Sequence, residues 1–340
     1  MRPNFIHHLH PPSIPALQAR WRHTLGMGGA AVFLALVLGV TGALEMFFYT
    51  PTPQEAALSI QELSYSVPFG GLLRNLHFWA AQLLLIVSGL HLFRVVFTGS
   101  YAPPRRFNYL LGMGLFVLVI LLNFSGYILR WDKGIQWALV VGTNLARSIP
   151  LIGEWLYRFL VGGNQPGAAT LIRFYSWHLY GLTIAALILV IWHAFRVRRD
   201  GGIAVPPPVL RKDLARISRF KLVGREVSAM LLLGASLLIL ALLFPAPISP
   251  AMTAVTPGSE ARAPWFFLWG QEMLTWGDPF LWGVAVPLLL LLVLGLIPYV
   301  LPNPKPEDWG SWFPRSNRLA QLLLSAIILF FLFLTFLAAS

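Results

Sequence analysis

The chain has 340 residues, of which 57% are hydrophobic and only 11% are charged, and its mean hydropathy is +0.69. Because soluble domains carry about 25% charged residues, this composition excludes an ordinary soluble protein and indicates an integral membrane protein. The formal charge of +12 therefore indicates basic loops on the cytoplasmic side of a membrane, and we expect no nucleic-acid partner.

Apolar stretches of about 20 residues, the length that spans a bilayer, recur along the whole chain. They cover residues 28–49, 75–97, 109–129, 172–195, 227–245, 280–301 and 319–338. We therefore predict an all-α integral membrane protein with seven transmembrane helices. The segment before the first stretch is polar and lacks the apolar core of a signal peptide, so we expect no cleaved segment.

The distribution of basic residues predicts how these helices are oriented. If the N-terminus lies inside, 18 of the 25 Lys and Arg residues fall on inside segments, as the positive-inside rule requires. We expect the N-terminus in the cytoplasm, the C-terminus outside and the protein in a bacterial cytoplasmic (inner) membrane.

Three long segments interrupt the helices. Residues 130–171 and 246–279, both outside, each contain three tryptophans, and long Trp-rich loops favour short helices at the lipid–water interface. The inside segment 200–226 contains Gly201-Gly202 and three consecutive prolines, which is typical of a linker. We predict a four-helix N-terminal domain over residues 1–199, a cytoplasmic linker over 200–226 and a three-helix domain over 227–340.

Four of the eight histidines fall inside predicted membrane helices, where ionisable side chains are costly and usually functional. His77 and His91 are 14 residues apart on the second helix, and His178 and His193 are 15 apart on the fourth. Each interval corresponds to roughly 21–23 Å and keeps both imidazoles on about one face of the helix. The helices therefore offer two facing pairs, His77 with His178 near the outside and His91 with His193 near the inside.

Two imidazoles are too few ligands for zinc, which binds four. They are, however, both of the axial ligands that a six-coordinate haem iron needs. The chain has no cysteine, so thioether-bound haem and iron–sulfur ligation by this chain are excluded. We predict two non-covalent b-type haems; hydrogen-bonded structural histidines are the alternative. The remaining histidines, expected in a solvated or interfacial N-terminal segment, are His7, His8, His10 and His23.

Glycines repeat the histidine interval on the other two helices of the N-terminal half. Gly28 and Gly42 on the first helix are 14 residues apart, as are Gly112 and Gly126 on the third. Glycine leaves room for a flat macrocycle against the backbone, although close helix packing also uses small residues. The matched interval favours the haem interpretation.

Two arginines lie one helical turn from the histidines. Arg74 precedes His77 by three residues and Arg94 follows His91 by three. The planar guanidinium pairs well with carboxylates, so we expect both to bind haem propionates. Contact with lipid headgroups is the alternative.

Three segments resemble the cytochrome b/b6 family of quinol–cytochrome c oxidoreductases, that is, of bc-type and b6f-type complexes. Residues 72–101 (LLRNLHFWAAQLLLIVSGLHLFRVVFTGSY) are similar to its second helix, 123–153 to its third helix and outer loop, and 169–180 to the start of its fourth helix. The 15-residue histidine interval resembles the b6 branch. Seven helices with a break after the fourth resemble b6 fused to its subunit IV.

The resemblance implies the function of a diheme respiratory-chain subunit. Quinol would be oxidised at an outer site, with one electron passing to a Rieske iron–sulfur partner. The other would cross through two b haems to a quinone site inside, coupled to proton translocation. A cytochrome c-type subunit, membrane lipid and a second copy of the chain in a homodimer are the further partners that the resemblance implies.

The outer quinol site of the family usually carries Pro-Glu-Trp-Tyr, in which the Glu accepts a quinol proton. The matching stretch here ends in Trp265-Phe266 and lacks the Glu and the Tyr. Glu272 is the nearest replacement carboxylate, and we hypothesise that it accepts the proton; a surface carboxylate at a helix end is the alternative. Tyr127 and Asp132, which flank an altered Arg-Trp pair, complete the predicted outer site.

The inner end is less distinctive. Arg198, five residues after His193, matches an arginine near the inner quinone pocket of the b6 branch, but its basic neighbours equally favour a positive-inside or lipid-binding role. The b6 cysteine that binds a third haem covalently corresponds to Gly26. We therefore expect no covalent third haem, while a non-covalent one stays open.

Two other functions fit part of the pattern. A diheme membrane anchor would link the quinone pool to another peripheral redox enzyme without bifurcation, but it does not need two long outer segments. A transporter would use intramembrane histidines as proton relays, but such proteins tend to contain repeated halves with broken helices, and no internal repeat is evident.

Overall fold

The structure, a computed structural model, describes residues 12–210, 215–252 and 262–340, so His7, His8 and His10 lie outside the described residues. Within these ranges seven helices are long and apolar enough to cross a membrane. The predicted all-α membrane architecture is confirmed. The helices are Met27–Glu45 (α1), Ala56–Tyr65 (α2), Gly70–Phe97 (α3), Arg106–Leu129 (α4), Gln136–Arg147 (α5), Gly153–Val161 (α6), Ala168–Arg199 (α7), Arg219–Leu243 (α8), Leu268–Leu274 (α9), Leu281–Val300 (α10) and Arg318–Ala339 (α11).

Some helices begin before the apolar stretch that predicted them. Helix α8 begins at Arg219 rather than at 227, inside the segment expected to be a linker. The Ser218 hydroxyl accepts a hydrogen bond from the backbone N–H of Lys221 at 3.4 Å, which caps the first turn. Because Arg, Lys and Glu are good helix formers, the helix continues through the charged residues that precede its apolar part.

A short pair of strands was not expected from the sequence. Ser13–Pro15 (β1) pairs antiparallel with Arg216–Ser218 (β2). The N-terminal segment therefore contacts the region that connects α7 to α8. Strands of three residues, one of which ends in proline, carry too little periodicity to be recognised along the chain.

Helices α1, α3, α4 and α7 form the four-helix N-terminal bundle: α3 packs against α1 and α4, and α4 packs against α7. The C-terminal helices lie against this bundle, with α8 on α1 and α3, α10 on α4, and α11 on α3. One apolar cluster joins α1, α3 and α4 to α8 through Leu34, Ala80, Val119 and Leu237. The two halves therefore share a core instead of folding as separate bundles.

Both long segments that were predicted to lie outside contain short helices, as expected. Helices α5 and α6 lie between α4 and α7, and α9 lies between α8 and α10. Helix α9 packs against α11, and α5 against the first turn of α10.

Candidate functional site

The four intramembrane histidines form two pairs across the bundle. The ring centroids of His77 on α3 and His178 on α7 are 6.4 Å apart, and those of His91 and His193 are 6.5 Å apart. A metal midway between two imidazoles, at about 2 Å from each nitrogen, places the ring centroids roughly 6 Å apart. Both pairs therefore have the separation needed to hold one metal ion between their rings.

The donor set distinguishes the kind of metal centre. Among the residues in the described ranges, no three His, Cys, Asp or Glu side chains cluster closely enough to hold an ion. Each pair thus offers two imidazoles and no further ligand. Two axial imidazoles fit a haem iron, whose macrocycle supplies the remaining four nitrogens.

Hydroxyl groups fix the tautomer of the first histidine pair. The Thr41 hydroxyl donates to the carbonyl oxygen of Val37 at 2.8 Å and lies 2.9 Å from Nδ1 of His77. Since its hydrogen is already used, the hydroxyl accepts from Nδ1–H of the imidazole. The Ser125 hydroxyl lies 3.0 Å from Nδ1 of His178 in the same way. Nε2 of each ring keeps the lone pair that a metal requires.

The second pair is held differently. Nδ1 of His193 lies 3.1 Å from the backbone carbonyl of Asn108, which can only accept, so this ring also carries its hydrogen on Nδ1. Nδ1 of His91 is buried and has no hydrogen-bond partner among the described side chains and backbone. These partners on neighbouring helices were not anticipated from the sequence, although Thr41 and Ser125 each directly precede a glycine of the 14-residue pattern.

Each of the four glycines faces one of the histidine rings. An added Cβ would lie 2.8 Å from the Cε1 atom of the facing ring at Gly126, 3.0 Å at Gly42, 3.3 Å at Gly112 and 3.8 Å at Gly28. The facing rings are, in the same order, those of His178, His77, His193 and His91. We expected each glycine to leave room for a flat macrocycle. The space beside each glycine is instead occupied by the edge of a histidine ring.

A local irregularity of α7 explains why its histidine interval is longer by one residue. Residues Trp177–Gly181, which include His178, form a π-helical turn. Such a turn accommodates one extra residue within an α-helix. The 15-residue interval to His193 therefore brings its two rings to about the same rise and face as the 14-residue interval on α3.

The two arginines near the histidines have different environments. Arg74 donates from Nη1 to the carbonyl of Ala246 at 3.1 Å and from Nη2 to that of Pro247 at 2.7 Å. Arg94 donates from Nε to the carbonyl of His23 at 2.7 Å, whereas its Nη2 is buried without a hydrogen-bond partner in the described parts of the chain. Arg94 thus keeps a donor for a carboxylate, while Arg74 also holds the segment after α8.

His23, which we expect in a solvated or interfacial segment from its place near the N-terminus, makes a tertiary hydrogen bond. The ring is half-buried, and its Nδ1 donates to the carbonyl of Gly310 at 3.1 Å. Burial and then the charge of Arg94 lower the pKa of His23 below its ordinary value. His23 therefore helps to join the start of the chain to the loop between α10 and α11.

The two long segments approach the His77–His178 end of the bundle. The Trp265 indole donates to Oε1 of Gln82 on α3 at 2.7 Å. The ring of Phe267 lies 5.8 Å from that of Phe124, which precedes Gly126 by two residues. Residues 263–274 and the end of α4 therefore lie on the same side of the molecule as this histidine pair.

Asp132 is a buried anchor between the two segments. Its Oδ2 lies 2.5 Å from Nη2 of Arg130 and accepts the backbone N–H of Ser249 at 3.1 Å. The next residue, Lys133, donates its backbone N–H to the carbonyl of Pro250 at 2.9 Å. Asp132 is buried and its Oδ2 joins the two segments, whereas its Oδ1 is buried without a hydrogen-bond partner among the described residues.

The other residues expected at the outer site are spread over several elements. The Tyr127 hydroxyl donates to the carbonyl of Gly134 at 2.7 Å, and Phe266 packs on the cluster between α1, α3 and α4. Glu272 on α9 is partly exposed, and its carboxylate has no hydrogen bond or ion pair with a described residue.

Glu45 is not among the site residues predicted from the sequence. Its Oε1 is buried without a hydrogen-bond partner among the described residues. A single acidic residue within an apolar stretch is the sequence feature that points to it.

At the opposite end, Arg198 lines a cavity together with Arg105 and Arg216. This is the end that carries His91 and His193, because Asn108 and His193 are in contact there. Arg198 is thus part of a basic cluster, one of the two environments that the sequence left open.

Residues 15–201 match the family model described as Cytochrome b/b6/petB. This chain belongs to the cytochrome b/b6 family. The family consists of membrane subunits, carrying b-type haems, of quinol–cytochrome c oxidoreductases, and this chain is an electron-transport subunit of that type. The membership inferred from residues 72–101, 123–153 and 169–180 is confirmed.

Relatives in this family align with about half of the chain. Cytochrome b6 of Heliomicrobium gestii is 35% identical over 183 residues, covering 53% of this chain and 86% of the relative. Cytochrome b6 of Cyanidium caldarium is 37% identical over 174 residues, covering 51% and 81%. The solved structure titled Hyperthermophilic respiratory Complex III superposes with a TM-score of 0.74 at 20% identity over 93% of this chain and 91% of that chain. The fold of the C-terminal half is therefore shared as well.

Proposed function

We propose that this cytochrome b is the diheme subunit that oxidises quinol at its His77–His178 end and delivers electrons to quinone at its His91–His193 end. The observation that carries this proposal is the two pairs of facing imidazole rings on the same two helices, with ring centroids 6.4 Å apart in one pair and 6.5 Å apart in the other. Two such centres stacked along one bundle provide a path for electrons through the membrane-spanning part of the protein.

In this proposal His77 and His178 hold the outer haem, and His91 and His193 hold the inner one. The bound haems supply reversible one-electron transfer. Thr41 and Ser125 keep the outer imidazoles in the tautomer that presents Nε2, and the Asn108 carbonyl does so for His193. Nη2 of Arg94, which has no hydrogen-bond partner among the described residues, would pair with the carboxylate of an inner propionate, and Arg74 is the corresponding candidate at the outer end.

We place the His77–His178 end of the bundle on the outer side of the membrane and the N-terminus in the cytoplasm. The excess of Lys and Arg on the segments at the other end supports this orientation. The membrane is the bacterial cytoplasmic membrane, and the partners are a Rieske iron–sulfur protein, a cytochrome c-type subunit and a second copy of the chain. Residues 1–199 act as the diheme domain, 200–226 as the connection and 227–340 as the subunit-IV-like part; the family match over 15–201 supports the first boundary.

The outer quinol pocket lies between residues 130–150 and 262–275 in this proposal. Trp265 and Phe266 form its wall, Tyr127 and Asp132 hold its loop, and Glu272 accepts a proton from quinol. The carboxylate of Glu272 has no hydrogen bond or ion pair with a described residue, which supports this role, since a general base has to reach its substrate without a competing partner. Release of that proton outside, and uptake of protons at the inner quinone site, would couple electron transfer to proton translocation.

The first experiment is a reduced-minus-oxidised optical spectrum with a haem-to-protein ratio. We expect the purified protein to show a b-haem band, and His77→Leu and His193→Leu each to lose about half of the haem, because each removes one axial ligand. His23→Leu is the matched control and should keep the full content. A wild-type protein without a b-haem band overturns the proposal.

The second experiment addresses the proton acceptor. In the assembled complex, we expect Glu272→Gln to lower the rate of quinol oxidation by about 10²–10⁴-fold, the usual contribution of a positioned general base. Glu45→Gln is the comparison, since Oε1 of Glu45 is buried without a hydrogen-bond partner among the described residues. Wild-type rates in Glu272→Gln contradict the assignment, and a loss confined to Glu45→Gln would transfer the role to Glu45.

A diheme membrane anchor that does not bifurcate electrons is the second candidate function. The two long segments that meet near the His77–His178 end favour the first function, because they build a surface for an external redox partner. A purified complex that shows the b-haem band but no Rieske iron–sulfur signal by electron paramagnetic resonance would favour the anchor.

A further inference from the structure

Two amide side chains lie in the membrane-spanning part of the bundle, beside the His77–His178 pair. Gln82 follows His77 on α3 by five residues, and Asn123 precedes Gly126 on α4 by three. Since Gly126 faces the ring of His178, both amides lie roughly 5–8 Å deeper in the membrane than this histidine pair. Polar side chains at such a depth are costly and usually functional, and the proposed haem ligation does not use either of them.

A chain of hydrogen bonds joins these amides to the segment that precedes α9. The Trp265 indole N–H can only donate, so the atom that it contacts at 2.7 Å is the carbonyl oxygen of Gln82. The amide nitrogen of Gln82 donates to Oδ1 of Asn123 at 3.4 Å, and the amide nitrogen of Asn123 donates to the backbone carbonyl of Val119 at 3.0 Å. Because the chain begins at a pure donor and ends at a pure acceptor, the orientation of both amides is fixed.

The distances show which of these bonds matters most to Gln82. Its contact with Asn123 on the neighbouring helix, at 3.4 Å, is longer than an ordinary hydrogen bond and therefore weak. Its contact with Trp265, at 2.7 Å, is short. Gln82 therefore holds the segment before α9 more firmly than it holds α3 to α4.

The segment that Gln82 holds carries three consecutive aromatic residues. Trp265–Phe267 form a single 3-10 turn, which has few backbone hydrogen bonds of its own, so side-chain contacts set its position. Phe266 packs on the cluster of α1, α3, α4 and α8, and the ring of Phe267 lies 5.8 Å from that of Phe124. Trp265 is 47% exposed although its N–H is bonded, so part of the indole surface stays available to a ligand.

We propose that Gln82 and Asn123 are positioning residues of the outer quinol site, which hold the Trp265 indole so that its exposed surface forms a fixed wall against the quinol ring. This inference rests on the proposed function, which places Trp265 in that pocket. An apolar wall contacts bound quinol and the transition state equally, because the ring does not move when electrons leave it. Such uniform binding lowers KM without changing kcat.

Steady-state kinetics of the assembled complex test this role, with menadiol and decylubiquinol as quinols and cytochrome c as the electron acceptor. We expect Gln82→Leu to raise KM about tenfold, the effect of one lost hydrogen bond, while kcat stays within about twofold of the wild type. Asn123→Leu should raise KM less, because it acts through the weaker bond. This pattern differs from that of Glu272→Gln, which is expected to lower the rate itself.

A double-mutant cycle isolates the bond between Gln82 and Trp265. Trp265→Phe removes the donor of the same hydrogen bond and should also raise KM. Adding Gln82→Leu to Trp265→Phe should raise KM by less than about twofold more, since the bond is already lost. Trp265→Phe lies outside the membrane-spanning helices, so it gives the result if Gln82→Leu does not fold.

Gln321→Leu is the matched control. The same substitution there removes hydrogen bonds from a glutamine of α11 to the carbonyls of Phe97 and Pro314, far from Trp265. It should leave KM for quinol unchanged, and the haem-to-protein ratio of each variant shows that it is folded. A lower thermal midpoint of Gln82→Leu with a wild-type KM would assign the amides to helix packing and overturn the inference.

Two further results would also contradict the inference. One is a loss of kcat at constant KM in Gln82→Leu, and the other is fully additive effects of Gln82→Leu and Trp265→Phe. Each of these leaves the proposed function standing, because the wild-type complex still oxidises quinol. A wild-type complex that oxidises neither quinol overturns the proposed function and this inference with it.

Discussion

At the scale of single residues, each histidine ring is positioned by a partner on a neighbouring helix. A glycine leaves space for the ring edge, and in three of the four cases an oxygen accepts the hydrogen on Nδ1. The tightest approach is at Gly126, where an added Cβ would lie 2.8 Å from Cε1 of His178. The corresponding distance at Gly28 is 3.8 Å, an ordinary van der Waals contact.

This difference leads to a prediction. Gly126→Ala should displace the His178 ring, cost about 1–3 kcal/mol of stability as overpacking does, and lower the haem content by about half. Gly28→Ala should change neither. Haem-to-protein ratios and thermal midpoints of the two variants, purified side by side, check this; a Gly126→Ala protein with full haem content would show that the close approach is unimportant.

At the scale of elements, α7 differs from α3 by its π-helical turn. The extra residue of the 15-residue interval is absorbed locally, so that the two rings of α7 still face those of α3. The same turn places His178 against Ser125 on α4. The spacing that resembles the b6 branch is thus a property of helix geometry as well as of descent.

Single-residue deletions test the role of this turn. Deleting Tyr180 from the π-helical turn should give a regular helix with a 14-residue interval and keep both haems. Deleting Ile86 from α3, which lies between its two histidines in a regular helix, should rotate one histidine by about 100° and lose haem. The optical haem content of both proteins is the measurement, and equal losses in the two deletions would contradict this explanation.

At the scale of the whole molecule, the two halves are joined at both ends of the bundle. At one end Asp132 connects the loop after α4 to residues 249–250. At the other, β1 pairs with β2, and His23 bonds to Gly310. Since α8, α10 and α11 also pack on α1, α3 and α4, the C-terminal half supports the site without supplying any of the four histidines.

The Asp132 anchor provides a prediction at this scale. Asp132→Asn leaves the charge of Arg130, whose side chain is 12% exposed, without its partner; breaking a buried ion pair typically costs about 3–5 kcal/mol, so the variant should have a lower thermal midpoint. Lys133→Gln, at the exposed neighbouring position, should leave it unchanged. Equal thermal midpoints in the two variants would show that the ion pair does not hold the loops.

Much of the architecture was evident from the sequence because its causes are local along the chain. Transfer of a 20-residue stretch into lipid depends on that stretch alone, and a helix returns residues 14 apart to nearly the same face. The seven spans and the two histidine pairs were therefore predictable. So was membership of the cytochrome b/b6 family, because the segments around His77 and His178 resemble those of that family.

Other features depended on the tertiary structure. The hydrogen bonds of Thr41, Ser125 and Asn108 to the histidines, the buried Oε1 of Glu45 and the basic cavity around Arg105 all join residues that are distant in sequence. Their partners depend on which helix faces meet, and no local periodicity encodes that choice. The sequence alone determined which four histidines can pair inside the membrane, and the packing of α1, α3, α4 and α7 decided how their rings are oriented.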